Sequence, residues 1–285
     1  MRHRTRYTYD DVVTDSYGHA VLLPRDAPGQ RVLSAQVEVD PVPVDRAEDV
    51  DHFGNRVTYL QVDVPHTRLT VDADLVVEVE PAQVDGEGLD APWESARPGV
   101  RDGVRPWEVV ELALESPSIG HGAAVHDYAR RSLVPGRALG EAASDLMHRI
   151  HEDFAYEPGT TNVTSTIDDV LAARAGVCQD FAQLMIACLR SHGLAARYVS
   201  GYLATDPPPG RERVLGADAT HAWLAVRTPT GQWLALDPTN DQAVGERYVT
   251  VAWGREYADV SPLKGVIVSE ATRSELEVEV DVLPA

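Results

Sequence analysis

Gly176-Val177-Cys178-Gln179-Asp180-Phe181-Ala182 leads into a mostly apolar stretch that ends at Ser191, just ahead of Gly193. The spacing predicts a helix from Cys178 to Ser191, stopped by Gly193, with the cysteine at its first position. At a helix N-terminus the unpaired backbone N–H groups and the macrodipole favour negative charge, the form in which sulfur attacks carbon. The same N–H groups suit a developing oxyanion. The second cysteine, Cys188, sits about 280° further round the helix, among Ile186, Ala187 and Leu189, and reads as core. Ten residues of helix separate the two thiols by about 15 Å, too far for a disulfide.

Upstream, Ala123–Ser132, Leu139–Phe154 and the hydroxyl-capped run Thr164–Arg174 have helical spacing. Downstream, strands are expected at Ala195–Leu203, His221–Arg227 and Gln232–Asp237, with a final strand at Leu276–Val282. Residues 116–285 thus form an α+β unit. His221 opens one strand and Asp237 closes the next, and the turn Thr228–Gly231 between them centres near position 229. In a simple hairpin the two lie nearly opposite, so that a carboxylate can orient an imidazole. Trp223, two residues after His221, shares its strand face and either walls a pocket or packs in the core.

Residues 1–115 follow a different period. Val32–Val39, Val57–Val64 and Leu69–Glu80 largely alternate apolar and polar side chains, which predicts an antiparallel β-sandwich. Asp85–Arg105, rich in Gly and Pro, reads as a long connection.

The chain has 285 residues with 25 basic and 45 acidic side chains, a net charge of −20. That balance argues against nucleic acid and anionic membranes as partners. The N-terminus lacks the apolar core of a signal peptide, and no run of ~18 apolar residues occurs, so the expected location is the cytoplasm. His148, His151 and Glu152 lack a third convincing ligand, so no metal is expected. No Gly-rich phosphate loop is framed by strand and helix, and no cofactor is implied. Nothing in the sequence indicates an oligomeric state.

Four segments, Gly176–Ala182, Gly193-Leu-Ala-Ala-Arg-Tyr-Val-Ser-Gly-Tyr202, His221-Ala-Trp223 and Asp237-Pro-Thr-Asn240, together resemble the transglutaminase-like superfamily in its bacterial form. The resemblance spans about residues 117–265, and the region before it resembles the β domain that precedes many bacterial members. It implies a papain-like core with Cys178 as nucleophile, His221 as base and acid, and Asp237 as the orienting carboxylate. It further implies acyl transfer from an amide through a thioester, as in a cysteine peptidase or amidase acting on a peptide or protein, with water or an amine as acceptor. The backbone N–H of Cys178 is one oxyanion donor. Val177 stands just before the cysteine, upstream of which papain-like enzymes carry a glutamine, so Gln179 and Tyr202 are the candidates for the second. The loop Asp206–Ala219 is placed to shape the pocket. A peptide-binding or scaffold module without turnover is the alternative.

Overall fold

The computed structural model describes residues 1–80, 82–99, 106–162, 165–205 and 220–283. Its first strand, β1 (Arg2–Ala20), is followed by β2 (Gln30–Asp40), β3 (Asp45–Val50), β4 (Arg56–Val62) and β5 (His66–Val79), in an antiparallel sheet of order β2-β5-β1-β4-β3. The expected alternation is present: Leu60 and Val62 on β4 and Leu69, Val71, Ala73 and Leu75 on β5 are buried at every second position. β1 changes partner along its length. Thr5 pairs with Val71 of β5, whereas Ser16 pairs with Val62 of β4, and the register shifts between Thr8 and Val13. An irregularity of this kind bends a strand and strengthens its twist. The two halves of the expected sandwich are therefore one sheet curled about β1.

The segment read as a connection contains α1 (Gly86–Asp90), capped by the Asp85 side chain, and a 3₁₀ turn at Trp93–Ala96. After α2 (Pro106–Val110) come α3 (Ala123–Ala129), α4 (Leu139–Asp153), β6 (Ala155–Tyr156), α5 (Ile167–Ala173), β7 (Ala175–Gly176) and α6 (Cys178–Ser191). Every residue of α6 from Asp180 to Arg190 is buried, as befits a helix apolar on nearly all sides. α4 packs against it and buries Leu139, Ala142, Ala143, Leu146, Met147 and Ile150, an i, i+3, i+4, i+7 stripe.

β8 (Ala196–Leu203), β9 (Thr220–Arg227), β10 (Trp233–Asp237), β11 (Gln242–Ala243) and β12 (Tyr248–Gly254) form a second sheet of order β11-β10-β9-β8-β12. Ala222, Leu224 and Val226 on one face of β9 join the cluster around α6, while Trp223 and Ala225 on the other face pack with Val199 and Tyr248. The chain ends in α7 (Tyr257–Val260), β13 (Leu263–Ser269) and β14 (Ser274–Asp281). The sequence groups this last hairpin with the α+β unit. It returns instead to the first sheet, where Val266 pairs with Tyr17 and Val278 with Thr5 on β1.

Side-chain amides join the two units. Gln30 donates to Thr250 O at 2.7 Å and accepts from Thr250 N at 2.8 Å, and Asn55 makes the same pair of bonds to Trp253 at 2.8 and 3.0 Å. These amides occupy polar groups on the free edge of β12, which would otherwise template pairing with another chain. No helix among the described residues is long and apolar enough to cross a membrane.

Candidate active site

The turn before α6 is built around a buried carboxylate. Asp180 folds back so that Oδ2 accepts from the Val177 N–H at 2.8 Å and from the Thr161 hydroxyl at 2.6 Å. A Cβ on Gly176 would lie 2.8 Å from that oxygen, so glycine is what lets the carboxylate close the turn. Asp180 thus acts on the helix end, satisfying the N-cap N–H. Cys178, partly buried, stands at the first position of α6, where backbone N–H groups have no partner inside the helix.

His221 and Asp237 share a face of the β9–β10 pair. The register runs from Trp233 opposite Arg227 to Leu236 opposite Leu224, and its continuation sets Asp237 beside Trp223, diagonal to His221. The sequence, centring the turn near 229, places the two nearly opposite. The difference is one residue of loop: the Thr228 N–H donates to Gln232 O at 2.8 Å, so the hairpin closes around position 230. Both side chains keep the same face because strand side chains alternate with period two.

Asp237 is fully buried, and five donors converge on it. Oδ1 accepts from the Thr239 and Asn240 backbone N–H groups at 2.9 and 3.3 Å. Oδ2 accepts from His221 Nε2, Asn240 Nδ2 and the Tyr248 hydroxyl, each at 2.7 Å. Burial alone would raise this carboxyl, but the donors and the His221 charge outweigh it and hold it below its ordinary range. Burial likewise opposes charge on His221, yet hydrogen bonds to Asp237 and Cys178 and their charges raise the imidazolium from 6.5 to about 9. Because Nε2 faces Asp237, Nδ1 is the ring nitrogen left for Cys178. A partly exposed sulfur, an imidazole that feels its charge and a buried carboxylate behind the imidazole can carry nucleophilic acyl transfer.

The other sequence candidates fall differently. Gln179 is half-buried in the first turn, next to Cys178. Tyr202 is buried at the junction of the two units, with its hydroxyl 2.7 Å from His3 Nδ1, so its polar group is engaged there and does not serve the site. On the same face of β8, the buried Tyr198 does feel the charge of Cys178, after the larger effect of burial, which pushes its phenol upward. Trp223, 1% exposed, packs behind His221 with ring centroids 6.1 Å apart and edge-on to Tyr248 at 5.3 Å. Its ring lies over Gly201, where a Cβ would come within 2.5 Å of Cη2. Cys188 is wholly buried in the core, and burial pushes its thiol up to about 12. His148 Nδ1 bonds Asp241 at 2.7 Å and His151 Nδ1 bonds Thr239 O at 3.0 Å, so both steady the segment that follows Asp237. The loop 206–219 lies outside the described residues. Tyr198, Asn240 and Tyr248 were not singled out from the sequence; Asn240 ends the quoted run Asp237–Asn240, but Tyr248 carries no local signal.

Comparison with known proteins follows the same division. Residues 1–78 match the family model described as bacterial transglutaminase-like N-terminal region, and residues 126–238 match the transglutaminase-like superfamily. An uncharacterized protein of Mycobacterium tuberculosis is 49% identical over 100% of this chain and 92% of its own length. A protein-glutamine gamma-glutamyltransferase of Pseudomonas aeruginosa is 33% identical over 41% of this chain and 18% of its own. The crystal structure of a Cytophaga hutchinsonii protein, provisionally described as a cysteine protease, superposes with a TM-score of 0.72. It is 21% identical, and the match covers 100% of this chain and 93% of that one.

Proposed function

Since the chain belongs to the transglutaminase-like superfamily, we propose that it is a cysteine-dependent acyl-transfer enzyme that cleaves an amide or peptide bond through a thioester on Cys178. The observation that carries this reading is the Asp237–His221 contact at 2.7 Å, with Cys178 among the groups that raise the imidazolium. In the first half-reaction Cys178 Sγ attacks the carbonyl carbon, and the oxyanion is met by the Cys178 backbone N–H. The second donor falls to Gln179 or Tyr198. As the tetrahedral intermediate collapses, the C–N bond breaks and the His221 imidazolium gives its proton to the leaving amine. A water molecule, deprotonated by His221, then attacks the thioester; the C–S bond breaks, a carboxylate leaves and the thiol is restored. Asp237 stays ionised throughout, holding the imidazole in one orientation. An amine in place of water would make the product an amide; water is the acceptor favoured here because it is always present.

The test is selective alkylation. Iodoacetamide near neutral pH is expected to modify Cys178 much faster than Cys188, and His221→Ala is expected to slow it. Equal reactivity of the two thiols, or reaction only after unfolding, would favour a peptide-binding module without turnover.

A further inference from the structure

The face of the second sheet turned away from α6 is not solidly packed. Between it and the first unit, at the turn carrying Pro28 and Gly29 and the segment carrying Ala82 and Val84, lies a cavity of about 580 Å³. That is within the range of about 300–1,000 Å³ common for small-molecule sites. Its walls are mainly apolar, with Trp223 and Ala225 of β9, Trp233 of β10 and Trp253 of β12 prominent among them.

Among the described residues, one cation lines this space. The Arg197 guanidinium is held between the rings of Trp233 and Trp253, at 4.2 and 3.8 Å from their centroids. Arg25 lies 3.6 Å from the centroid of Trp253, so the indole is stacked between two guanidinium groups. Arg25 spends Nη1 on Phe53 O and Asn55 Oδ1, although its Nε is also buried without a partner. Arg197 makes no hydrogen bond or ion pair among the described residues, and its Nε is buried without a partner. Burial, and after it the charge of Arg25, push it down to about 9, and no acid offsets them. In a chain with 45 acidic against 25 basic residues, Arg197 is thus a clamped cation with no acid or acceptor paired to it among the described residues. A guanidinium left this way matches a carboxylate, which it binds through two parallel N–H···O bonds. A phosphate would call for more than the one cation that the described residues place here.

We propose that this cavity binds a small organic acid, with its carboxylate on Arg197 and an aromatic or branched apolar body against Trp223, Ala225 and Trp233. The site is separate from Cys178. Trp223 and Tyr248 stand between it and the His221–Asp237 pair, both with ring centroids 6.1 Å from the imidazole. The assignment does not depend on the catalytic reading.

Three of the five tryptophans line the cavity, so their fluorescence reports occupancy directly. The full chain is titrated with 4-phenylbutyrate and, separately, with its neutral amide, and calorimetry checks each binding curve. The acid is expected to bind at least about tenfold more tightly, the increment of a charged hydrogen-bonded pair. Arg197→Met is expected to erase that preference, and Ala225→Leu, which fills the cavity beside the cation, to weaken both compounds. Equal binding of acid and amide by the unaltered protein, or no binding of the acid at millimolar concentration, overturns the proposal. This comparison decides the matter even if Arg197→Met fails to fold.

Discussion

Asp237→Asn keeps the shape of the buried carboxylate but removes its charge, and its effect can be worked from the site. The rise of His221 from 6.5 to about 9 corresponds to about 3 kcal/mol favouring the imidazolium. Hydrogen bonds and charge from Asp237 and Cys178 supply it against burial, with the Asp237 bond the largest of them. Taking half or more of that sum for Asp237, the variant loses about 1.5–3 kcal/mol of support for the charged ring, or roughly ten- to a hundredfold in an equilibrium. The midpoint of the ring then falls by about one to two units, and the charged fraction at pH 8 drops from about nine-tenths to about half or less. The alkylation rate of Cys178 at pH 8 is therefore expected to fall about two- to fifteenfold, in proportion to the imidazolium that remains. The deficit should close as the pH passes about 9, where the unaltered imidazole is also neutral. Stability follows with a definite sign. Because the folded-state value is raised, the contribution is present in full below the unfolded value of 6.5 and disappears as the pH rises to about 9. The rate is read by mass spectrometry of each cysteine peptide from pH 5 to 10, with Cys188 protection reporting that the fold is intact. Wild-type rates and pH profile in a folded Asp237→Asn protein would refute the reasoning.

Tyr248→Phe removes one of three donors at 2.7 Å to Asp237 Oδ2. It should lower stability by about 1–3 kcal/mol in denaturant titration and slow Cys178 alkylation less than Asp237→Asn does. Gln179→Ala should cut turnover of a cleavable amide by roughly 100-fold or more if Gln179 is the second oxyanion donor, leaving alkylation of Cys178 unchanged. An unchanged rate would point to Tyr198. Cys188→Ala, at a wholly buried position, should cost about 1–2 kcal/mol and leave Cys178 reactivity untouched. Asp180→Ala strips the buried acceptor from Val177 N–H and the Thr161 hydroxyl, and should lower the thermal midpoint by the equivalent of about 1–2 kcal/mol.

The parts of this fold that local chemistry determines are the parts legible in the sequence. α6 shows in its apolar run, its glycine stop and its cysteine start, and α5 shows in the reciprocal Thr166–Asp169 capping box. The shared face of His221 and Asp237 survives a one-residue error in the loop because strand parity is unaffected. β1 is hidden for a physical reason. Its inward positions include His3, Thr5 and Ser16, which are buried but polar. They are satisfied by bonds His3–Tyr202, His3–Thr5 and Ser16–His66 that no local pattern announces. The return of β14 to β1 rests on pairing across most of the chain, between Arg2 and Asp281 at one end. The two tyrosines of β8 share a face, but only the packing of α6 tells which one feels the charge of Cys178 and which one reaches His3.

The central claim is that Cys178 forms a thioester. The direct measurement is peptide-resolved mass spectrometry after the protein is mixed with a library of peptide amides and quenched in acid. An acyl adduct is expected on Cys178, absent from Cys188, that disappears when the quenched sample is treated with hydroxylamine. Failure to trap any adduct on a folded protein whose Cys178 still reacts rapidly with iodoacetamide would contradict it.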